Sequence, residues 1–326
     1  MILLTGATGF LGSHLAPALA ARGREWAALV REDSDRSELL RLSNPPVFRE
    51  GDLLDPQSLF EAFSGVEVVI HAAAMVSYRT ADRDELLRVN GEGTANLVNM
   101  ALEAGVRRLV YVSSVAALNR EQKPGHLITL KDRWPEKRPP TSYAESKFAA
   151  EREVWRGQAE GLSVAVLYPS VMLGAGDWSG HNTPALWRMA ASGRRVYPEG
   201  TNGFVDVRDV ADAVLEVVHR DRNGDRFLLN AENLSWGEVQ GLIARSIDQA
   251  PPSIKLRPWQ SALLWPLEQV RAGLRNERPL ITREVHRNVQ AKYQYDGSDY
   301  PRETGKGYRD VRQTIQEIGE AFLRER

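Results

Sequence analysis

The sequence predicts an α/β fold: a doubly wound parallel sheet followed by a smaller, mostly helical C-terminal lobe. Three observations carry this expectation. Short apolar runs alternate with helix-period segments through the first half of the chain, the rhythm of strands joined by crossover helices. A loop with glycines at positions 6, 9 and 12 separates the first apolar run from the first helical pattern. The rhythm breaks near residue 175, although apolar runs return at Phe204–Val207 and Arg226–Asn230. Because crossovers between parallel strands are right-handed, alternating helices cover both faces of the sheet.

The elements follow in order. Met1–Leu4 reads as a strand, Ser13–Arg22 as a helix and Glu25–Val30 as the second strand. A helix near Ser34–Leu42 leads to a strand at Val47–Glu50, a helix at Pro56–Phe63 and a buried strand at Val66–His71. One long helix is expected over Arg83–Ala104, a strand at Arg108–Ser113, a helix at Ser142–Ala159 and a strand at Val164–Tyr168. Beyond these come a glycine-containing loop at Gly174–Gly180, a short helix at Pro184–Ala191 and a patterned helix at Asp209–His219. Helices are also expected at Trp259–Leu274 and Arg312–Arg324. The division expected is a nucleotide-binding domain of residues 1–175 with a returning segment 203–232, and a substrate lobe of 176–202 with 233–326.

Composition narrows the function classes. The 326 residues suit one large or two closely packed domains. A formal net charge of −1, with no block of like charge, lacks the basic face of a nucleic-acid binder. With no cysteine there are no disulfides, thiol nucleophiles or zinc–thiolate sites. The six histidines (His14, His71, His126, His181, His219, His286) show no metal-ligand spacing. No apolar run nears the roughly 20 residues of a membrane helix, and a four-residue apolar start without a basic flank is no signal peptide. A soluble, cytoplasmic protein is expected, with a small-molecule substrate and no nucleic-acid or membrane partner.

Thr5–Gly12 is where chemistry first shows. Gly6 permits a tight turn, Gly9 lets backbone N–H groups approach phosphates, and Gly12 allows helix and strand to pack closely. The helix that follows presents unpaired N–H groups and partial positive charge to an anion. Gly6, Thr8, Gly9, Phe10, Leu11 and Gly12 are therefore candidate contacts to a dinucleotide pyrophosphate.

Tyr143 and Lys147 stand at i and i+4 at the start of a predicted helix, so both side chains reach one site. They follow Ser113 and Ser114 by about thirty residues. One positive charge at ~4 Å, with an effective dielectric near ~20, is expected to lower a phenol by about three pKa units, toward ~7. A serine hydroxyl beside it can hold a carbonyl oxygen. The chain has 35 Arg but only 7 Lys. A lysine here marks a place for a compact, flexible charge.

In these motifs the chain resembles the extended short-chain dehydrogenase/reductase family, which includes dihydroflavonol reductases, 3β-hydroxysteroid dehydrogenases and nucleotide-sugar epimerases. Thr5–Gly12 is similar to its T-G-x-x-G-x-x-G loop, and Gly51–Asp55 to its G-D-x-x-D segment, which implies adenine contacts from Asp52 and Leu53. His71–Ala74 resembles the H-x-A-A turn, placing Ala72, Ala73 and Ala74 along the cofactor. Val89–Asn96 is similar to the V-N-x-x-G-T-x-N helix, with Asn90 as a fourth member of the catalytic set. Tyr168–Val171 resembles the R-P-x-x segment, with Tyr in place of Arg and with Pro169 and Val171 beside the nicotinamide. Phe204–Ala211 is similar to the H-V-x-D-V-A-x-A segment. The resemblance implies a Rossmann fold, a homodimer paired through the Arg83–Ala104 and Ser142–Ala159 helices, and catalytic roles for Ser114 or Ser113, Tyr143 and Lys147. Ser114 lies further out of its strand, nearer the open site.

Cofactor choice turns on the end of the second strand. Arg31 stands where an NAD enzyme places an acid, and Arg36 follows closely; guanidinium groups are bidentate phosphate ligands. NADP is therefore expected. Glu32 leaves NAD open, because a carboxylate turned inward serves a ribose diol. Met75, Val76, Val115, Trp178, Asn182 and Trp187 are candidate pocket residues and favour an apolar or aromatic substrate. Arg188, Arg194, Arg195 and Arg271 keep a sugar-nucleotide clamp open. The leading expectation is NADP(H)-dependent interconversion of a carbonyl and a secondary alcohol. A nucleotide-sugar epimerase or dehydratase with tightly held cofactor is the alternative, and a non-catalytic dinucleotide sensor a third.

Overall fold

Strands buried on both faces need no polar alternation, and the apolar runs of the first half become such strands. The structure is a computed structural model; it describes residues 1–23, 25–121, 123, 125–134, 139–178, 183–220, 222–260, 262 and 282–325. In chain order the first half contains β1 (Ile2–Thr5), α1 (Gly12–Ala20), β2 (Trp26–Val30), α2 (Ser37–Leu40), β3 (Val47–Glu50), α3 (Pro56–Ala62) and β4 (Val68–His71). There follow α4 (Arg83–Leu86), a π-helical stretch (Leu87–Glu92), α5 (Gly93–Glu103), β5 (Arg108–Val112), β6 (Leu127–Ile128), α6 (Ser142–Ala159) and β7 (Ser163–Pro169). The remainder comprises β8 (Val171–Leu173), α7 (Ala185–Ala191), β9 (Val196–Pro198), β10 (Thr201–Asp206), α8 (Val207–His219), β11 (Asp225–Leu229) and β12 (Glu232–Ser235). After these come α9 (Trp236–Ser246), β13 (Ile254–Leu256), α10 (Arg283–Gln290), β14 (Gln294–Tyr295), α11 (Asp299–Thr304) and α12 (Val311–Arg324).

Seven strands form one sheet in the order β3-β2-β1-β4-β5-β7-β11, with every pairing parallel. The strand order reverses between β1 and β4, which opens a crevice at their C-terminal ends, where such sheets bind ligands. Register fixes what meets there: Thr5 lies opposite Leu29 and His71, His71 opposite Tyr111, and Val112 opposite Leu167. Alternate residues of each strand feed different faces. Leu4, Ile70 and Val110 pack with Leu15, Leu19, Val210 and Val214 of α1 and α8. Leu3, Val69 and Leu109 pack with Leu59, Leu97, Val98, Ala150 and Val154 of α3, α5 and α6. This is the doubly wound arrangement.

The second lobe has its own core, in which Trp187, Phe204, Trp236, Ile243, Ile315 and Phe322 join α7, β10, α9 and α12. It is helical with small sheets added: β12-β10-β8, β13-β9 and β14-β6. Of the segment 203–232 expected to return, β11 joins the main sheet and α8 packs on its face, whereas β10 pairs with β8 and β12. Helix α9 was not among the expected elements, although Ser235 and Glu238 form a capping box at its start. The helix expected at Trp259–Leu274 lies mostly outside the described residues. Among the described residues, no helix is long and apolar enough to cross a membrane.

Candidate active site

The glycine loop shapes the crevice. Gly6 has φ +73°, and a Cβ there would lie 2.7 Å from the Ala73 nitrogen, so the H-x-A-A turn packs directly on it. Gly12 packs on the loop itself rather than on a strand: a Cβ would lie 2.1 Å from the Gly6 oxygen and 2.5 Å from the Ala7 oxygen. Gly9 would meet only the Gly6 oxygen, at 3.3 Å, and Thr8 and Gly9 are exposed. Phe10 meets His14 edge-on, and Leu11 is buried where α1 begins. The cradle thus has a rigid floor and an open rim at a helix start, which fits a pyrophosphate. Gly12→Ala should therefore cost ~1–3 kcal/mol of stability by overpacking. Gly9→Ala should leave the melting temperature within error while weakening dinucleotide binding. Thermal unfolding and NADPH fluorescence titration read the two effects separately.

Behind this loop lies a buried polar chain. The Ala73 N–H donates to Thr5 Oγ1 (3.2 Å), Thr5 Oγ1 meets His71 Nδ1 (2.8 Å), and His71 Nε2 meets Thr94 Oγ1 (3.1 Å). Burial, helped by the Lys147 charge, pushes His71 down to about 3. The ring is therefore neutral and bridges the Thr5 and Thr94 hydroxyls, donating to one and accepting from the other. His71 is a strut between the glycine-loop strand and α5.

The helix carrying Val89–Asn96 ties together the loops of the crevice. Asn90 Nδ2 donates to the Met75 oxygen (2.9 Å) and to Ser146 Oγ (2.9 Å), and Asn90 Oδ1 accepts from the Met75 N–H (2.8 Å). Asn90 thus couples the turn after β4 to the helix of Tyr143 and Lys147. Gly93 lets the Gly51–Asp55 loop approach, since a Cβ would lie 3.0 Å from Leu53 Cβ, and Asn96 Nδ2 donates to the Leu53 oxygen (2.9 Å). The Asp52 carboxylate closes its own loop by accepting from the Leu54 N–H (2.8 Å). Asn90 lies in the π-helical stretch, which interrupts what the apolar pattern reads as one helix. Such widened turns occur often at functional sites.

Thr141 caps α6, accepting from the Ala144 N–H, and so sets Tyr143 and Lys147 at the helix start. Glu284 of α10 adds a brace, accepting from the Ser142 N–H (3.0 Å) and hydroxyl (2.8 Å). The Tyr143 phenol lies beside the Ser114 side chain, which caps the turn at Val115–Ala117. Ser113 does not join them: its hydroxyl donates to Glu151 Oε2 (3.1 Å). Neighbouring residues of an extended chain point to opposite sides, so only one serine faces the crevice. Glu151 also accepts from the Tyr168 hydroxyl (2.6 Å) and from Trp155 Nε1 (3.0 Å). The tyrosine that stands where the resemblance places an arginine therefore serves this half-buried carboxylate. Pro169 ends β7 and Val171 begins β8; the Ser170 hydroxyl between them is buried with no hydrogen-bond partner among the described residues.

Lys147 is buried. Its Nζ donates to the Val112 oxygen at the end of β5 (2.9 Å) and lies 4.4 Å from the Tyr111 ring centroid. Burial pulls its pKa down to about 7, against the opposing Glu151 charge. The expectation that Lys147 lowers the Tyr143 phenol toward ~7 is overturned. Burial first, and then the neighbouring Tyr78, hold Tyr143 well above the usual phenol range, with Ser114 and Arg120 acting in the opposite sense. The Tyr78 and Tyr143 rings meet edge-on at 5.8 Å.

At the end of β2, Arg31 is exposed, with Asp33 3.5 Å away. Arg36 is committed elsewhere: it donates to Glu50 Oε1 (2.7 Å) and lies over the Phe48 ring at 5.4 Å. Glu32 is exposed. Several pocket candidates prove to be packing residues. Trp187 is fully buried and donates to Ser246, Trp178 donates to Glu325 and meets Phe322 edge-on, and Val115 is core. Val76 is exposed, and Met75 is half-buried beside Asn90. Arg188, Arg194 and Arg195 are exposed on α7 and the turn beyond it. Asn182, His181 and Arg271 lie outside the described residues. Sequence reasoning carried Thr94 and Asn96 only as letters of the V-N-x-x-G-T-x-N motif and did not single out Tyr78, Arg120 or Glu151. Of the last three, Glu151 carried a signal, as the next i+4 position after Lys147.

Comparison with known proteins agrees with this geometry. Residues 2–229 match the NAD dependent epimerase/dehydratase family. The chain is 33% identical over 259 residues to sterol demethylase protein B of Methylococcus capsulatus, covering 78% of this chain and 77% of that one. It is 31% identical over 323 residues to a putative dihydroflavonol 4-reductase of Synechocystis, covering 96% and 91%. Among solved structures, that of gox2253 superposes with a TM-score of 0.84 at 30% identity, covering 100% of this chain and 98% of that one. The chain belongs to the NAD-dependent epimerase/dehydratase family, the extended short-chain dehydrogenases/reductases, and is an NAD(P)-dependent enzyme.

Proposed function

We propose that the protein is an NADP(H)-dependent oxidoreductase that interconverts a carbonyl and a secondary alcohol on a small, apolar or aromatic substrate. The observation that carries this reading is that Tyr143 lies beside Ser114 at the C-terminal edge of the sheet, with Lys147 one helical turn along. The bound dinucleotide supplies or takes up the hydride. Ser114 orients the carbonyl oxygen, and Tyr143 donates a proton to it during reduction and accepts one during oxidation. A phenol held above its usual range stays protonated, which is the form that reduction needs. Lys147, with its Nζ at the end of β5, would hold the nicotinamide ribose through its ammonium. Asn90 keeps α6 and the Met75 turn in register. The relative called a dihydroflavonol 4-reductase supports a net reduction. A homodimer paired through α5 and α6 belongs to the same reading, on the family's pattern.

The exposed Arg31 at the end of β2 supports NADP, because its guanidinium is available to a ribose 2′-phosphate while Arg36 is held by Glu50. A charge-assisted pair of ~1.5–3 kcal/mol predicts that Arg31→Ala raises the KM for NADPH about tenfold or more while that for NADH changes little. Equal affinity of the unaltered protein for both cofactors would sink the assignment. The reaction itself is tested by NADPH oxidation over a panel of aldehydes and ketones. Many equivalents of NADPH consumed per enzyme support a reductase. An enzyme that isomerises a sugar nucleotide with no net oxidation is the epimerase instead.

A further inference from the structure

Arg120 follows the turn that Ser114 caps, and its guanidinium lies over the Tyr293 ring, 4.8 Å from the centroid. Tyr295 adjoins Tyr293, with ring centroids 6.2 Å apart. The Arg120 charge acts on the phenols of Tyr295, Tyr293 and Tyr78, and on that of Tyr143. Its Nε is buried without a hydrogen-bond acceptor among the described residues. Nor does any described carboxylate pair with it. Of the acids on the elements around it, Glu121 pairs with Arg287 (2.5 Å) and Asp132 with His126 (2.9 Å), while Glu284 gives Oε1 to Ser142 (2.8 Å), keeps a buried, unbonded Oε2 and forms no ion pair with Arg120.

A guanidinium drawn out of water needs a counter-charge, and tyrosine faces and hydroxyls compensate only in part. Other arginines that pack into this fold have theirs: Arg83 holds Glu145 (2.7 Å), Arg208 holds Asp206 (2.6 Å), and Arg309 holds Asp209. Arg120 departs from that pattern, and it does so beside the proposed proton donor. One planar guanidinium walled by tyrosines suits a singly charged, planar carboxylate better than a phosphate dianion, which calls for more than one cation.

We propose that Arg120 is a specificity-determining residue that binds a carboxylate carried by the substrate close to its reacting carbonyl, so that the substrates are oxo acids and the matching hydroxy acids. This rests on Tyr143 being the site of hydride-coupled proton transfer. Arg120 sets the acid end, the tyrosine walls take the apolar body, and the carbonyl falls between Ser114 and Tyr143.

The test uses benzoylformate and 4-oxo-4-phenylbutanoate, each beside its methyl ester, with NADPH and the full-length enzyme. The expected result is that kcat/KM favours at least one acid over its ester by tenfold or more. Arg120→Gln should then cut that acid-to-ester ratio at least tenfold, mainly by raising the KM for the acid, and Arg120→Lys should restore part of it. A wild-type enzyme that reduces the esters without preferring either acid overturns the role of Arg120. So does an Arg120→Gln variant in which acid and ester fall together. A wild-type enzyme that reduces none of the four while processing a sugar nucleotide overturns the carbonyl-reductase reading itself, and this proposal with it.

Discussion

Tyr143→Phe should lower kcat for carbonyl reduction by about 10²–10⁴-fold, the usual contribution of a placed general acid. Dinucleotide affinity should stay near that of the unaltered protein. The ring remains, so its edge contact with Tyr78 survives, and Ser114 still caps its turn by accepting the Ala116 N–H (3.1 Å). Only the hydroxyl beside Ser114 is lost. Steady-state kinetics with a reducible ketone and NADPH titration by fluorescence separate the two quantities. A fall in binding equal to the fall in kcat would make Tyr143 a structural residue.

The second large effect is on pH dependence. Lys147 is neutral above about 7 in this fold because burial disfavours its ammonium form. A step that needs the cation must then weaken as pH rises through that value. For the dinucleotide, kcat/KM reports the free enzyme, and it should fall about tenfold per pH unit above ~7. Lys147→Arg should remove the inflection, because a guanidinium does not lose its proton in this range. Glu151→Gln should move it to lower pH, since the Glu151 charge is what favours the ammonium. A flat profile across the neutral range in the unaltered enzyme would show that Lys147 charge is not used.

Much of this was legible in the sequence, for reasons that can be stated. Alternating apolar runs and crossover helices leave few topologies open, and the seven parallel strands are the result. Tyr143 and Lys147 stand one helical turn apart, a spacing that survives any tertiary context. The choice between the two serines rested in the sequence only on Ser114 lying further out: the two point to opposite sides of the strand end, and what each meets is supplied by α6, through Glu151 and Tyr143. The break in the Arg83–Ala104 pattern was hidden too, because a π-helical turn shifts backbone hydrogen bonds without changing which residues are apolar. The expected Lys147 effect on Tyr143 failed because the separation and burial were assumed. In the fold the ammonium is drawn to the Val112 carbonyl. The setting of Arg120 depends on β6 pairing with β14, which brings Tyr293 and Tyr295 across from residues far away in the chain. The second lobe offered strands of two to six residues, too short for a period to show.

The central claim is that Tyr143, Ser114 and Lys147 serve a net hydride transfer between NADPH and a carbonyl carbon. It is tested most directly by single-turnover reaction of a ketone with NADPH stereospecifically deuterated at C4, followed by NMR of the product. The predicted result is one deuterium on the carbinol carbon from one of the two C4 epimers, in a single product configuration, with transfer slowed at least a hundredfold in Tyr143→Phe. Deuterium retained on the dinucleotide from both epimers while the substrate is converted, or transfer unaffected by Tyr143→Phe, would contradict it.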